Sequence, residues 1–311
     1  MSNPIFINQT VILAKVETVK GTDAVPTGAL NAILVSDVTF TPLEGDEVER
    51  NNIRPYFGDG GSTMVTQYAK LSFSVEAAGV GTAGDLPGYE ALLRAAGCAV
   101  TTTAGVDVRF APVTDAMESV TIYVAVGRNL QKLTSAMLNV KLAADAKTIA
   151  KFQFEVTGTY QEAADAAAPA GVTYAKFQDP FGVNKVNTTL SLHGTSVAAS
   201  AFSFDFGNAV IKRDLINVDT VEITGRKSTG SVTFDNTLVS DKNWVELART
   251  STRGAIALKH GPGATNVIEL NATNVQLGKP TFGESDGIQQ ITVPLRFVPT
   301  LGNDEWELVV R

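Results

Sequence analysis

Apolar and polar side chains alternate in short stretches along almost the whole chain. Residues 33–41 (ILVSDVTFT), 70–76 (KLSFSVE), 119–126 (SVTIYVAV) and 149–156 (IAKFQFEV) have the period of two and the β-branched and aromatic content of strands. Residues 201–206 (AFSFDF), 231–234 (SVTF), 266–270 (NVIEL) and 290–298 (QITVPLRFV) read the same way. Glycine and proline separate these runs, as turns require. Two stretches have helical spacing instead. Residues 89–96 (YEALLRAA) bring Leu92, Leu93 and Ala96 to one side, and Gly97 stands where a C-terminal stop belongs. Residues 244–249 (WVELAR) bring Trp244, Leu247 and Ala248 together, with Gly254 several residues beyond. Such short helices are expected to pack on a sheet. The predicted class is mainly β: two tandem sandwich or barrel domains, each with a short flanking α-helix.

Residues 162–171 (EAADAAAPAG) lack strand periodicity and mark a boundary. The alternative is a surface helix inside one domain. With the boundary, the chain divides into an N-terminal arm (1–33), a first domain (34–161), a linker (162–171) and a second domain (172–311). Both halves show one order: strand, long polar loop, strand, helix, strand, then two further runs. On this reading Phe40 matches Phe204, Phe73 matches Phe234 and Tyr89 matches Trp244, and residues 119–126 match 267–270. Either the halves are duplicates, or two unrelated β domains share an order. A mostly β domain with few helices leaves sheet edges open, and an open edge is a template for another chain. Closure into a barrel across subunits removes the edges, and a tandem chain supplies two consecutive segments of such a ring.

Composition narrows the chemistry. The 311 residues are 44% hydrophobic and 18% charged, enough for packed cores in about two domains. The formal net charge of -7 argues against wrapping nucleic acid. The single cysteine, Cys98, excludes an internal disulfide, and two histidines, His193 and His260, leave little for a metal site or a triad. No run approaches a membrane span. Met1 to Asn8 carry no secretion signal, so synthesis in the cytoplasm is expected.

Three motifs carry possible chemistry. Gly79-Val80-Gly81-Thr82-Ala83-Gly84 spells a dinucleotide fingerprint. A pyrophosphate site needs the helix to open at the glycines, but Asp85-Leu86-Pro87-Gly88 intervenes and brings negative charge, so a flexible connection is expected. His193, His260 and Cys98 lack neighbours at ligand or nucleophile spacing and read as structural. Glu44-Gly45-Asp46-Glu47-Val48-Glu49 clusters carboxylates, followed by Arg50 and Arg54. This run can be a solvated loop that pairs internally, a contact with a neighbouring chain, or a metal or acid–base site. No catalytic, cofactor-binding or metal-ligating residue is assigned, and no cofactor is expected.

The run from Thr41 through Gly58, with residues 70–76, the glycine stretch and Pro87-Gly88-Tyr89-Glu90-Ala91-Leu92-Leu93-Arg94, resembles the tail tube (major tail) proteins of long-tailed bacteriophages. Leu13 to Thr18, Gly21 to Pro26 and Asn187 to Leu190 add to the likeness, which is strongest over the first hundred residues. The resemblance implies β-sandwich or barrel domains assembled into rings around a lumen and stacked into a tube that conducts DNA. For a duplicated, non-contractile type it implies trimeric, pseudo-hexameric rings. The loop 43–67 is then expected to reach the adjacent ring, with Asp46, Glu47, Glu49, Arg50 and Arg54 as contact candidates. The second half offers only Lys212-Arg213-Asp214 in that place. Implied partners are the chain itself, tape-measure protein, tail terminator and distal tail proteins, with DNA passing unbound and no membrane. The implied location is the virion tail. A DNA conduit should repel its cargo, so a net negative inner wall is expected. The competing readings are the tube of a contractile tail or secretion device, and a virion-surface receptor- or carbohydrate-binding sandwich with a concave aromatic site. An enzyme is the remote third.

Overall fold

The alternating runs pair into antiparallel ladders in a computed structural model that describes residues 5–311; the first four residues of the arm, and of the segment read for a secretion signal, lie outside the described residues. The first half holds β1 (Thr10–Val16), α1 (Gly28–Asn31), β2 (Ala32–Ile33), β3 (Ser36–Glu44), β4 (Glu47–Glu49), β5 (Ser62–Met64), β6 (Tyr68–Glu76) and α2 (Glu90–Ala95). It continues with β7 (Cys98–Thr103), β8 (Asp107–Pro112), β9 (Val120–Val126), β10 (Asn129–Ala143), β11 (Lys151–Tyr160) and β12 (Ala164–Asp165). The second half holds β13 (Thr188–Leu192), β14 (Thr195–Ser196), β15 (Ala199–Asp205), β16 (Asn208–Leu215), β17 (Val218–Arg226), β18 (Thr229–Asp235) and α3 (Trp244–Arg249). It closes with β19 (Arg253–His260), β20 (Ile268–Leu277), β21 (Thr281–Ser285), β22 (Ile288–Phe297) and β23 (Glu307–Val310).

The chain is mainly β, as its alternation predicts, and both helices lie where the spacing puts them. Gly97 ends α2 with φ of +77°, a left-handed conformation that suits glycine, and its N–H donates to the Arg94 carbonyl at 3.0 Å. Asn243 caps α3 by accepting from the Glu246 N–H at 3.0 Å.

In the first half the ladder runs β3–β6–β11–β10–β9–β1. In the second it runs β15–β18–β22–β20–β19–β13. The corresponding strands come in the same chain order. The central strand of each ladder carries a bulge, between Leu133 and Ala136 in β10 and between Ala272 and Val275 in β20. Bulges bend a strand, so each ladder turns there and folds over itself as a sandwich. Ile12, Ile122 and Leu133 meet Phe73, Phe152 and Phe154 inside one core cluster, closed by Leu92 and Leu93 of α2. Leu190, Ile256 and Leu270 meet Phe204, Val232 and Val293 in the same cluster, which extends through both halves and includes Trp244 of α3. Fully burying one such large apolar side chain is worth roughly 1.5–3 kcal/mol.

Some details differ from the sequence reading. The ladder order makes β9 and β19 counterparts, whereas residues 268–270 of the run read as 267–270 fall in β20, the counterpart of β10. Phe40 opposes Leu71 and Phe204 opposes Gly230. Leu71 and Gly230 stand equally far before the strand-end pairs Glu76↔Lys151 and Asp235↔Gln290, so Phe40 and Phe204 share a rung. Phe73 shares its rung with Val232 and not with Phe234. Residues 162–171 contain no helix; Ala164 and Asp165 pair with Leu130 and Asn129.

Candidate assembly surfaces

The two halves are joined by a strand seam. Lys141, Leu142 and Ala143 of β10 pair with Asp205, Phe204 and Ser203 of β15. The Ala144 N–H donates to the Phe202 carbonyl at 2.9 Å and the Phe206 N–H to the Val140 carbonyl at 2.9 Å, extending the join on both sides. The result is one sheet in the order β3–β6–β11–β10–β15–β18–β22–β20. A single row of paired positions crosses all of it: Ser36, Ser74, Gln153, Lys141, Asp205, Thr229, Arg296 and Gln276. The adjacent row, Val75, Phe152, Leu142, Phe204, Gly230, Leu295 and Leu277, faces the core. The alternation seen in the sequence thus becomes a sheet with one apolar and one polar face.

The polar face carries Lys70, Lys141, Lys151 and Arg296 against Asp37, Glu44, Glu76, Glu155, Asp205 and Asp235. Lys141 lies 2.6 Å from Glu155 and 3.9 Å from Asp205, and Lys151 lies 2.9 Å from Asp37. The hydrogen bond to Glu155 raises the Lys141 pKa, and that from Lys151 lowers the Asp37 pKa. The face carries an acidic excess that is largely self-paired.

Among the described residues, β3 pairs only with β6 and β21 only with β22. On these pairings the sheet has an open edge at β3 on one side and at β21, which continues β20 beside β22, on the other; β20 itself is flanked by β19 and by β22 or β23. In ladder position β3 is the counterpart of β15, and β20 of β10. The strands at the open ends, β3 and the β21 continuation of β20, are the counterparts of the two strands at the internal seam.

A hairpin leaves each half just after β3 and just after its counterpart β15. In the first half it is β4–β5. The Asp46 N–H donates to Thr66 Oγ1 at 2.7 Å, Ser62 donates to Glu47 at 2.5 Å, and the Arg50 N–H donates to the Gly61 carbonyl at 2.9 Å. Asp46, Glu47, Glu49, Arg50 and Arg54 are all exposed, and among the described residues none has an ion-pair partner within 4.0 Å. The internal pairing open to this run is not made. Near the tip Ile53, Tyr56 and Phe57 are exposed as well.

The second hairpin, β16–β17, is held differently. It crosses the seam and lies on the first half. Asn208 donates through Nδ2 to the carbonyls of Ala96 (2.8 Å) and Leu138 (3.0 Å), Lys20 pairs with Glu222 at 2.7 Å, and Val221 is fully buried. The sequence reading missed this hairpin and the seam, and also β1, β7, β8, β19 and β23, the last of which pairs with β8 as a second join between the halves. Residues 208–226 mix charges with β-branched residues, and what they cover lies far away in the chain.

The glycine run serves packing. Gly79 lies against the backbone of Asn266, Val267 and Arg311, where a Cβ would come within 2.2 Å, and α2 opens beyond it at Glu90. Burial pushes the Cys98 thiol pKa up and holds both histidines below their usual value. Among the described residues no group of three or more His, Cys, Asp or Glu is arranged to hold a metal ion, and no helix is long and apolar enough to cross a membrane.

Comparison with known proteins gives one finding on the family. The family model described as phage tail tube protein matches residues 7–298. No curated protein matches the chain.

Proposed function

The chain belongs to the phage tail tube proteins, structural components of the virion tail, and on that premise we propose that it forms trimeric, pseudo-hexameric rings that stack into a conduit for DNA. One observation carries the reading: a sheet continuous through an internal seam, whose free ends repeat the two strands of that seam. If β20–β21 of one chain meets β3 of the next as β10 meets β15, the contact is head-to-tail. A head-to-tail contact closes into a ring when the rotation allows. Closure removes both open edges, which are otherwise aggregation hazards.

The polar face of the sheet then lines the lumen. Its lysines lie beside carboxylates of the same face, so they offer DNA little net attraction. The two halves read as duplicated domains, 34–161 and 172–311, joined by 162–171. The likeness of the first hundred residues to long, non-contractile tails supports that type. Tape-measure, terminator and distal tail proteins are the expected partners, and the exposed tip of the first hairpin is free to reach a neighbouring ring. Negative-stain electron microscopy of concentrated protein should show hollow tubes, and native mass measurement should show trimers. A monomer that persists across concentration and salt overturns the proposal.

A further inference from the structure

The bulges allow the two halves to be compared position by position. Leu133 and Ala136 flank the first bulge opposite Ile122 and Val120; Ala272 and Val275 flank the second opposite Ile256 and Gly254. Thr134 therefore matches Thr273, Ser135 matches Asn274 and Met137 matches Gln276. The first of each pair is buried, at 3%, 0% and 1% exposure. Their counterparts are not: Thr273 is exposed, and Asn274 and Gln276 are half-buried. The β16–β17 hairpin accounts for the difference, since it covers β10 and approaches Ser135 through the Val221 N–H at 3.5 Å. The same place in the second half is an open groove of about 350 Å³ between α3 and β20, lined by Val245, Arg249, Gln276, Lys279 and Arg296 among others.

We infer that the β4–β5 hairpin of one chain occupies this groove in the next chain of the same ring. This rests on the ring proposed above. Three observations support it. The hairpins leave their halves from corresponding strands, with Phe40 and Phe204 on one rung. The proposed ring sets β3 against the next chain's β21, which continues β20, as β15 is set against the end of β10, so the first hairpin starts beside the groove. The charges are also complementary. Asp46, Glu47 and Glu49 lack ion-pair partners among the described residues, whereas the groove presents Lys279, Arg296 and Arg249, the last also paired with Glu246 at 2.6 Å. Exposed Val48 and Val245 give the contact an apolar component. The inference moves Asp46, Glu47 and Glu49 from the contact between rings to the contact within a ring, and leaves the tip for the axial direction.

The test is a charge exchange in the full chain. Glu47→Lys with Glu49→Lys should lower tube yield by roughly tenfold or more at moderate salt while the circular dichroism spectrum is kept. Adding Arg249→Glu and Lys279→Glu should restore most of it. A second variant, Glu47→Cys with Lys279→Cys, should cross-link on oxidation into products that stop at the trimer, because a lateral bond closes on itself. Buried Cys98 should stay out of the reaction. If wild-type protein forms no tubes, the ring falls and this inference with it. If tubes form but the reversed arm assembles like wild type, or the cross-links run on as an open ladder, the inference is overturned and the ring stands.

Discussion

The two hairpins begin on matching rungs and end in opposite circumstances. β16–β17 is folded down over β10, with Val221 buried and Asn208 bonded to the first half; β4–β5 stands in solvent with its charges unpaired. The ladders beneath them have the same order and the same bulge. What differs is the surface within reach: β16–β17 lies across the seam on the first half, whereas β4–β5 meets no such surface among the described residues. The first half is covered by the hairpin of the second, and the matching place on the second half is left open. An exposed surface on one half, matched by a buried one on the other, is the place to look for another copy.

The largest expected effect compares the two phenylalanines that share a rung. Phe204 sits at the seam, buried, with ring centroids 4.6 Å from Phe297 and 5.4 Å from Trp306. Phe40 sits on the open edge and is half-buried. Phe204→Ala should cost the unassembled chain about 3–5 kcal/mol, the usual range for emptying a packed aromatic site. Phe40→Ala should cost about 1 kcal/mol, as expected for a partly exposed side chain. Urea unfolding of dilute protein measures both. Equal losses would mean that the edge is already as well packed as the seam, and the comparison would lose its basis.

A second comparison concerns how each bulge is pinned. In the first half the buried Glu17 carboxylate accepts from Ser119 Oγ at 2.6 Å, Thr121 Oγ1 at 2.8 Å, and the N–H groups of Gly21 and Ser135 at 2.7 and 2.8 Å. Ser135 lies in the bulge itself with φ of +50°. In the second half Asn274 donates to the Val298 carbonyl at 3.0 Å. Removing one buried acceptor that serves four donors strands all of them, so Glu17→Ala should lose about 2–4 kcal/mol. Asn274→Ala removes the part-buried bond to Val298 and a longer, exposed one to Thr300 Oγ1 at 3.4 Å, and should lose about 1 kcal/mol. Thermal unfolding of the two variants tests the ordering, which fails if the Asn274 variant is the less stable.

How much of this was legible beforehand follows from the range of the interactions involved. The strands 70–76 and 149–156 and both helices were readable because periodicity and stop signals are local. The family likeness covers most of the chain and is strongest over the first hundred residues, and the family match extends over 7–298. Residues 253–260 escaped because Arg253, Gly254 and the charged Lys259 blur their alternation, while the pairing that makes them a strand comes from β13 and β20. Gly254 is there for a tertiary reason: a Cβ would come within 2.6 Å of the His193 ring. The seam was illegible for the same cause. Lys141 and Asp205 read as ordinary polar positions of two strands, and only the folded sheet pairs them. The exposure of Asp46, Glu47 and Glu49 followed from composition, but the groove that complements them combines α3 with β20 and β22, a combination no local pattern predicts.

The smallest effect concerns protons, and again separates the halves. Both histidines belong to the second half. His260 ends β19, nearly buried, with Nδ1 2.8 Å from Thr188 Oγ1. His193 places Nε2 2.9 Å from the Val275 carbonyl, beside the second bulge, with Lys242 bonded to its own carbonyl at 2.7 Å. Burial lowers both pKa values below the unfolded value near 6.5, and the Lys242 charge adds to the effect at His193. The unfolded chain therefore binds more protons than the folded one just below that pH. Stability is fully present above about pH 6.5 and declines as the pH falls toward the folded values. Carboxylates such as Asp37, held low by Lys151, and Asp304, held low by the Leu301 N–H, lose their contributions only below about pH 4. The urea midpoint should thus fall between pH 7 and pH 5, and the fall should flatten when His193→Asn and His260→Asn are combined. An unchanged slope in that variant would place the sensitivity in groups outside the second half's core, and would remove the proton as a means of weakening one half before the other.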